Sequence, residues 1–183
     1  MDPLSRLALS VARTGDPWAL EAFVEAGYEQ VWRLCATLVG DQSADDLAQE
    51  TFVRAVSALP QFRGESSART WLLAIARHVC LDELRVRGRR RRRDAAVCAG
   101  RQVSTADPSA EITLTDLLRA LDVDRRAAFV LTQVLGLSYE EAARVCDCPT
   151  GTIRSRVARA RADLVELLKR SDEDRRPGRS SSA

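Results

Sequence analysis

Apolar residues recur along most of this chain at the three-and-four spacing of a helix, and no stretch shows the two-residue alternation of a strand. Leu4, Leu7, Ala8 and Val11 predict a short first helix ended by Gly15. Asp16-Pro17 offers an N-cap and a first-turn proline to a second helix, carried by Leu20, Phe23 and Val24 to about Ala26. A third follows from Val31, Leu34, Cys35 and Leu38, with Gly40 suited to its C-terminal cap. Ser43 lies three residues ahead of Asp46, the capping-box spacing, and opens a helix to Leu59 and Pro60. Ala44, Leu47, Ala48, Thr51, Phe52, Ala55 and Leu59 form its buried face. Asp45, Asp46, Gln49, Glu50 and Arg54 are left outside. After the loop Gln61–Ser67, the span Ala68–Arg87 is apolar on more than one side, as a helix among several neighbours must be. Arg69, Arg77 and His78 on it can still reach water or a ligand.

Residues 89–110 lose this period and contain Gly, Pro and Ser, the composition of a flexible linker. It resumes at Leu114, Leu117, Leu118 and Leu121. Asp122 can cap the next helix, whose expected buried face is Ala127, Val130, Leu131 and Val134, with Gly136 at its end. Ser138 and Glu141 form a full capping box for a helix Tyr139–Cys146. A turn, Asp147-Cys148-Pro149, leads into a long arginine-rich helix, and past Arg170 the charged, then Gly/Ser-rich tail is expected to be disordered. The fold expected is all-α: a helical domain over 1–88, a flexible basic linker over 89–110, a second helical domain over 111–170 and a tail over 171–183.

Two short helices joined by a tight turn, the second basic, are the helix-turn-helix pattern. Ala142 and Ala143 allow close crossing, while Ile153 and Val157 anchor the second helix to the first. Thr150, Thr152, Arg154, Ser155, Arg156, Ala158 and Arg159 are then available to the major groove, where arginine pairs with guanine edges and hydroxyls reach bases or phosphates. A solvated basic helix in an ordinary bundle is the plain alternative. The capping box, the turn and the small residues together favour DNA.

Composition narrows the function. Among 183 residues the net charge is only +2, yet seven arginines fall between Arg85 and Arg93, and Lys169 is the sole lysine. Local basic clusters in a near-neutral chain suit phosphate contact at defined places, although a solvated surface accounts equally well for the 85–93 run. Five irregularly spaced cysteines speak for a reducing cytosol rather than a disulfide framework. His78 is the only histidine, so a four-ligand zinc site is not expected, and Cys146 and Cys148 read as packed thiols, Cys98 as an exposed one. No cofactor is expected. Nothing pairs a nucleophile with a base or cradles a phosphate in a glycine loop, which argues against an enzyme. The chain shows neither a transmembrane stretch nor a secretory signal.

The run D-D-L-A-Q-E-T-F-V-R-A, followed by F-R-G-E-S-S-A-R-T-W-L-L-A-I-A-R-H, closely resembles region 2 of bacterial RNA polymerase sigma factors of the extracytoplasmic-function (ECF) class. The later block L-G-L-S-Y-E-E-A-A-R-V-C-D-C-P-T-G-T-I-R-S-R-V-A-R-A-R resembles their region 4, with Asp147 where many such turns carry Gly. The resemblance implies a cytoplasmic transcription initiation factor that directs polymerase core to promoters. It implies that Asp45, Asp46, Gln49, Glu50 and Arg54 dock on the clamp helices of the largest subunit, and that the second domain meets the flap of the second-largest. Phe62, Arg63, Gly64, Glu65, Ser66 and Ser67, with Arg69, Thr70 and Trp71, are where such proteins capture a −10 base, although Trp71 is better read as core. Arg77 and His78 contact the strand backbone or stay structural. The −35 element falls to the Thr150–Arg159 residues named above, and the linker is expected to pass near the polymerase active-site cleft. Such factors are commonly held inactive by an anti-sigma factor, a further candidate partner. A stand-alone helix-turn-helix regulator is the alternative, but it has no need of the Asp45–Arg54 and Phe62–Trp71 blocks.

Overall fold

The structure, a computed structural model, describes residues 1–97 and 113–174. Among these it contains no strand and eight α-helices: α1 (Pro3–Thr14), α2 (Pro17–Leu38), α3 (Ala44–Ala58), α4 (Ala68–Val97), α5 (Leu114–Ala120), α6 (Val123–Phe129), α7 (Tyr139–Cys146) and α8 (Thr150–Asp174). The expected all-α fold of two small helical domains, the second carrying a helix-turn-helix, is the fold found. Cys98, most of the anticipated linker and the end of the tail lie outside the described residues.

Local chemistry explains most boundaries. Asp2 caps α1 by accepting from Ser5 N at 2.9 Å, and Gly15, at φ 65°, ends it. Ser5 Oγ also accepts from Ala68 N at 2.8 Å, tying α1 to the first turn of α4. Asp16 caps α2 as expected, Asp122 caps α6, and Ser138 with Glu141 closes both halves of its capping box on α7. An unforeseen capping box, Thr113 with Asp116, opens α5.

Five expectations need correction. The second and third predicted helices are one, α2, running through Gly27. That glycine is a point of close approach: a Cβ there would sit 2.7 Å from Leu72 Cδ2 and 3.4 Å from Phe52 Cζ. Ser43 makes no capping bond; it ends a 3₁₀ turn, Asp41–Ser43, and its hydroxyl is taken by Arg87 from α4. Helix α4 does not stop near Gly88 but continues to Val97, since arginine is a good helix former and a lone glycine is tolerated. Helix α8 likewise reaches Asp174, past the expected start of the tail. Within the second domain Val134, expected in the core, is exposed, because α6 passes into a single π-type turn over Val130–Val134 that shifts the helical phase.

Phe23, Leu34, Leu38, Leu72 and Leu73 fill the first domain, and Leu131, Val145, Ile153 and Val157 the second. The two sets meet in one continuous apolar cluster, with α4 against α7 and α2 against α5 and α6. Arg126 crosses this boundary. Its guanidinium is buried and donates to Leu38 O at 2.7 Å, Arg119 O at 2.6 Å and Leu121 O at 2.9 Å, closing the C-terminal ends of α2 and α5 together. Burial pulls its pKa below the ordinary arginine value, so those carbonyls are what make the charge tolerable there.

The tight contact at Gly27 carries a direct expectation. Gly27→Leu should destabilise the protein by about 1–3 kcal/mol through overpacking against Leu72 and Phe52, read as a lower urea midpoint. An unchanged midpoint would show that α2 and α4 are not held this closely.

Candidate functional site

The candidate residues lie on three surfaces. On α3, Asp45, Asp46, Gln49, Glu50 and Arg54 all face solvent, as their helical phase requires. They are not equally free. Asp45 accepts from the Tyr28 hydroxyl at 3.0 Å and from Trp32 Nε1 at 2.9 Å, and Tyr28 in turn stacks on Phe52 with ring centres 6.2 Å apart. The hydrogen bond to Asp45 holds the Tyr28 phenol above its ordinary pKa. Arg54 pairs with Glu50 at 2.7 Å and with Asp82 of α4 at 3.3 Å. Among the described residues no side chain holds Asp46 or Gln49, which makes them the available centre of this face. Tyr28, Trp32 and Asp82, its supports, were missed from sequence because each sits on another helix.

The second surface surrounds the loop before α4. Gln61, Phe62, Arg63, Gly64, Glu65, Ser66 and Trp71 line a cleft of about 330 Å³. Phe62 is buried and packs on Trp71, ring centres 5.2 Å apart and planes tilted by 50°. It is the floor of the cleft rather than its rim. Gly64, at φ 73°, turns the chain with a conformation that a side chain would strain. Ser67 Oγ accepts from Thr70 N at 3.1 Å and lies 2.8 Å from Thr70 Oγ1, so the buried Thr70 fixes the helix start. Arg63 and Glu65 are exposed, and Trp71 is half-buried, serving the core and the cleft wall together.

Three arginines expected at DNA are engaged elsewhere in the protein. Arg69 donates to Gln30 of α2 and to the Leu135 carbonyl of the second domain. Arg77 is buried, with Nη2 2.8 Å from Asp124 Oδ1 at the start of α6. The other oxygen of that carboxylate takes Arg156 Nη2 of α8 at 2.7 Å. His78 is exposed, its Nδ1 2.9 Å from the Ala74 carbonyl of its own helix. Asp124 was not foreseen; its only signal in sequence is an acidic residue in the first turn of a helix, which the helix dipole alone explains.

The third surface is the α7–α8 pair. Asp147 holds the left-handed turn at φ 50°, the role glycine usually fills, and Ile153 and Val157 are buried against α7. Arg154, Ser155, Ala158 and Arg159 are exposed, with Ser155 Oγ donating to Thr152 O at 2.9 Å. Thr150 and Thr152 are half-buried at the helix start. Arg156, expected outward, instead bends toward Asp124 and Cys148 Sγ, the latter at 3.5 Å. Cys146 is buried, and burial pushes its thiol up to about 11, so it stays protonated and packs. Among the described residues no three metal-ligating side chains gather.

Comparison with known proteins falls on the same surfaces. The family profile described as Sigma-70 region 2 matches residues 23–90, and that described as Sigma-70, region 4 matches residues 112–164. The chain is 50% identical over 170 residues to the ECF RNA polymerase sigma factor SigC of Mycobacterium tuberculosis, covering 90% of each. In structure it is similar to CnrH in complex with the cytosolic domain of CnrY, at TM-score 0.71 and 28% identity over 92% of this chain and 98% of that one. It is also similar to the sigma factor RpoE in complex with the anti-sigma factor NepR from Bartonella quintana, at TM-score 0.64 and 30% identity over 81% and 96%.

Removing the cleft floor should separate packing from contact. Phe62→Ala is expected to cost about 3–5 kcal/mol of stability, whereas exposed Arg63→Ala should stay within about 0.5 kcal/mol, both by urea unfolding. Equal effects would show that Phe62 is not buried structure.

Proposed function

The chain belongs to the extracytoplasmic-function class of the sigma-70 family, and from that premise we propose how its surfaces divide the work of starting transcription. As an alternative sigma factor it is a transcription initiation factor and not an enzyme, with RNA polymerase and promoter DNA as its partners. Residues 1–88 form the region 2 domain, which docks on the clamp helices of the largest polymerase subunit through Asp46 and Gln49. Asp45, Glu50 and Arg54 shape that face from positions already tied down. An acidic-polar surface of this kind steers toward a basic partner and fixes register more than it adds affinity. The loop cleft takes one unstacked base of the −10 element, with Arg63, Glu65 and Ser66 at its rim and Phe62 and Trp71 beneath. Its polar rim can offset part of the few kcal/mol lost in unstacking. Residues 111–170 form the region 4 domain, which meets the polymerase flap and reads the −35 element through Thr152, Arg154, Ser155 and Arg159. The protein works in the cytoplasm; no described helix is long and apolar enough to cross a membrane.

The observation that carries this reading is the cleft of about 330 Å³ beside α4, on the same domain as the polar face of α3. A stand-alone DNA-binding regulator has no use for either. Arg69, Arg77 and Arg156 are held at the boundary between the domains, so these three reach promoter DNA only when the domains part. An anti-sigma factor that grips the closed pair would keep those arginines from DNA.

Run-off transcription with purified core polymerase tests the whole reading: specific transcripts should appear only when this protein is added. Asp46→Ala with Gln49→Ala should weaken core binding by roughly 3–30-fold. No core binding by the unaltered protein would transfer the assignment to a plain regulator. Asp124→Asn, which leaves an amide oxygen for the buried Arg77 but loosens the hold on Arg156, should tighten binding of the isolated protein to a −35 duplex by about 2–5-fold, the reach of one partly exposed ion pair. A weaker complex would show that Asp124 positions Arg156 for DNA rather than withholding it.

A further inference from the structure

The arginine run has no part in the surfaces described so far. It is not a loose linker: Arg85 to Arg93 lie on α4, the helix that begins at the −10 cleft. The family profile for region 2 ends at residue 90, so the match takes in Arg85, Arg87, Arg89 and Arg90 and stops before Arg91–Arg93. Arg89 through Arg93 are all exposed. The acids nearby on the helix are occupied, Asp82 by Arg54 and Arg85, and Glu83 by Arg87. Arg85, Arg89 and Arg92 fall one helical turn apart and, with Arg77, line a cleft of about 700 Å³ between α4 and the start of α6. Like charges at this spacing repel and weaken a helix. Nothing within the run relieves that except Asp94 at its end. A polyanion would relieve all of it.

We propose that Arg89 and Arg92 bind the phosphate backbone of the promoter duplex between the −10 and −35 elements. The assignment rests on the sigma-factor reading above. At 1.5 Å per residue, Arg89 stands about 31 Å along α4 from Ala68. That is about nine base pairs from the base-capture cleft at 3.4 Å per pair, if the helix follows the duplex. The run lies at the end of α4 remote from the base-capture loop, so a duplex laid along that helix beyond the −10 element meets it. Guanidinium groups match phosphate oxygens in pairs, which suits a run built of arginine without lysine. Contact to phosphate carries no sequence information, so the run adds affinity and register to any promoter the two domains select.

The test uses holoenzyme assembled from the full chain and core polymerase, bound to a promoter duplex across a salt series. Two lost phosphate contacts should flatten the slope of log affinity against log salt by about 1.8 and weaken binding near 50 mM salt more than near 200 mM. Arg89→Ala with Arg92→Ala should show this, while the double lysine variant should keep most of the slope. Alanine favours helix, so folding is not at risk. On a downstream fork template that begins at the −10 element and so lacks the spacer duplex, the alanine variant and the parent should bind alike. Parallel salt slopes would overturn the proposal. So would an equal loss on the fork, which would assign the run to the melted strand, or a loss confined to core assembly, which would assign it to polymerase. Absence of promoter-dependent binding by the parent would overturn the sigma-factor reading and this proposal with it.

Discussion

Asp124 offers one carboxylate to two guanidinium groups from different parts of the fold, Arg77 of α4 at 2.8 Å and Arg156 of α8 at 2.7 Å. Arg77 is buried, and a buried cation without a partner is costly enough to unfold or rearrange its surroundings. The carboxylate is what allows that arginine to sit inside the boundary between the domains. Its position at the first turn of α6, where the helix dipole favours negative charge, makes it a good acceptor before either arginine arrives. Arg156 then shares the same carboxylate, so α8, α6 and α4 are fixed relative to one another by one group.

Around that group the boundary is unusually polar for a surface that also joins two apolar cores. Arg126 donates to three carbonyls, one of them Leu38 O in the other domain, and Arg69 reaches Leu135 O in the opposite sense. Each of these acceptors ends a helix or lies in a turn, where carbonyls lack intrahelical partners. The arrangement therefore satisfies orphan acceptors with side chains from across the boundary. Beside the apolar contacts, the two domains are joined where their own backbones are incomplete.

This explains what sequence could and could not reveal. Capped helices were legible because caps are local: Asp16-Pro17, Asp122 and the Ser138–Glu141 pair needed only neighbours within four residues. The α3 face was legible for the same reason, since helical phase alone puts Asp46 and Gln49 outside. Ser43 failed because its hydroxyl had a better donor in Arg87, far along the chain. The helix end expected near Ala26 fails because sequence does not show that Leu72 needs the space of Gly27's missing side chain. Arg156 failed differently. A long flexible side chain goes where charge draws it, and Asp124 is on another helix. The length of α4 was hidden because five consecutive arginines look like solvated linker by composition, while their helix propensity says otherwise.

The arginines at the boundary also decide how the closed pair can open. An apolar seam exposes its whole area to water on separation, and nothing in water compensates it. A guanidinium released from a carbonyl or carboxylate is different, because a phosphate oxygen offers it an equivalent and charge-assisted partner. Under the proposed function, Arg69, Arg77 and Arg156 would trade internal acceptors for promoter phosphates at modest net cost, provided the apolar contacts between α4 and α7 were also replaced by new ones. Closure and promoter binding then draw on the same groups. Apparent affinity for DNA falls by whatever fraction of molecules is closed, without any change in the contacts made once open. Any partner that separates the two domains would restore that fraction.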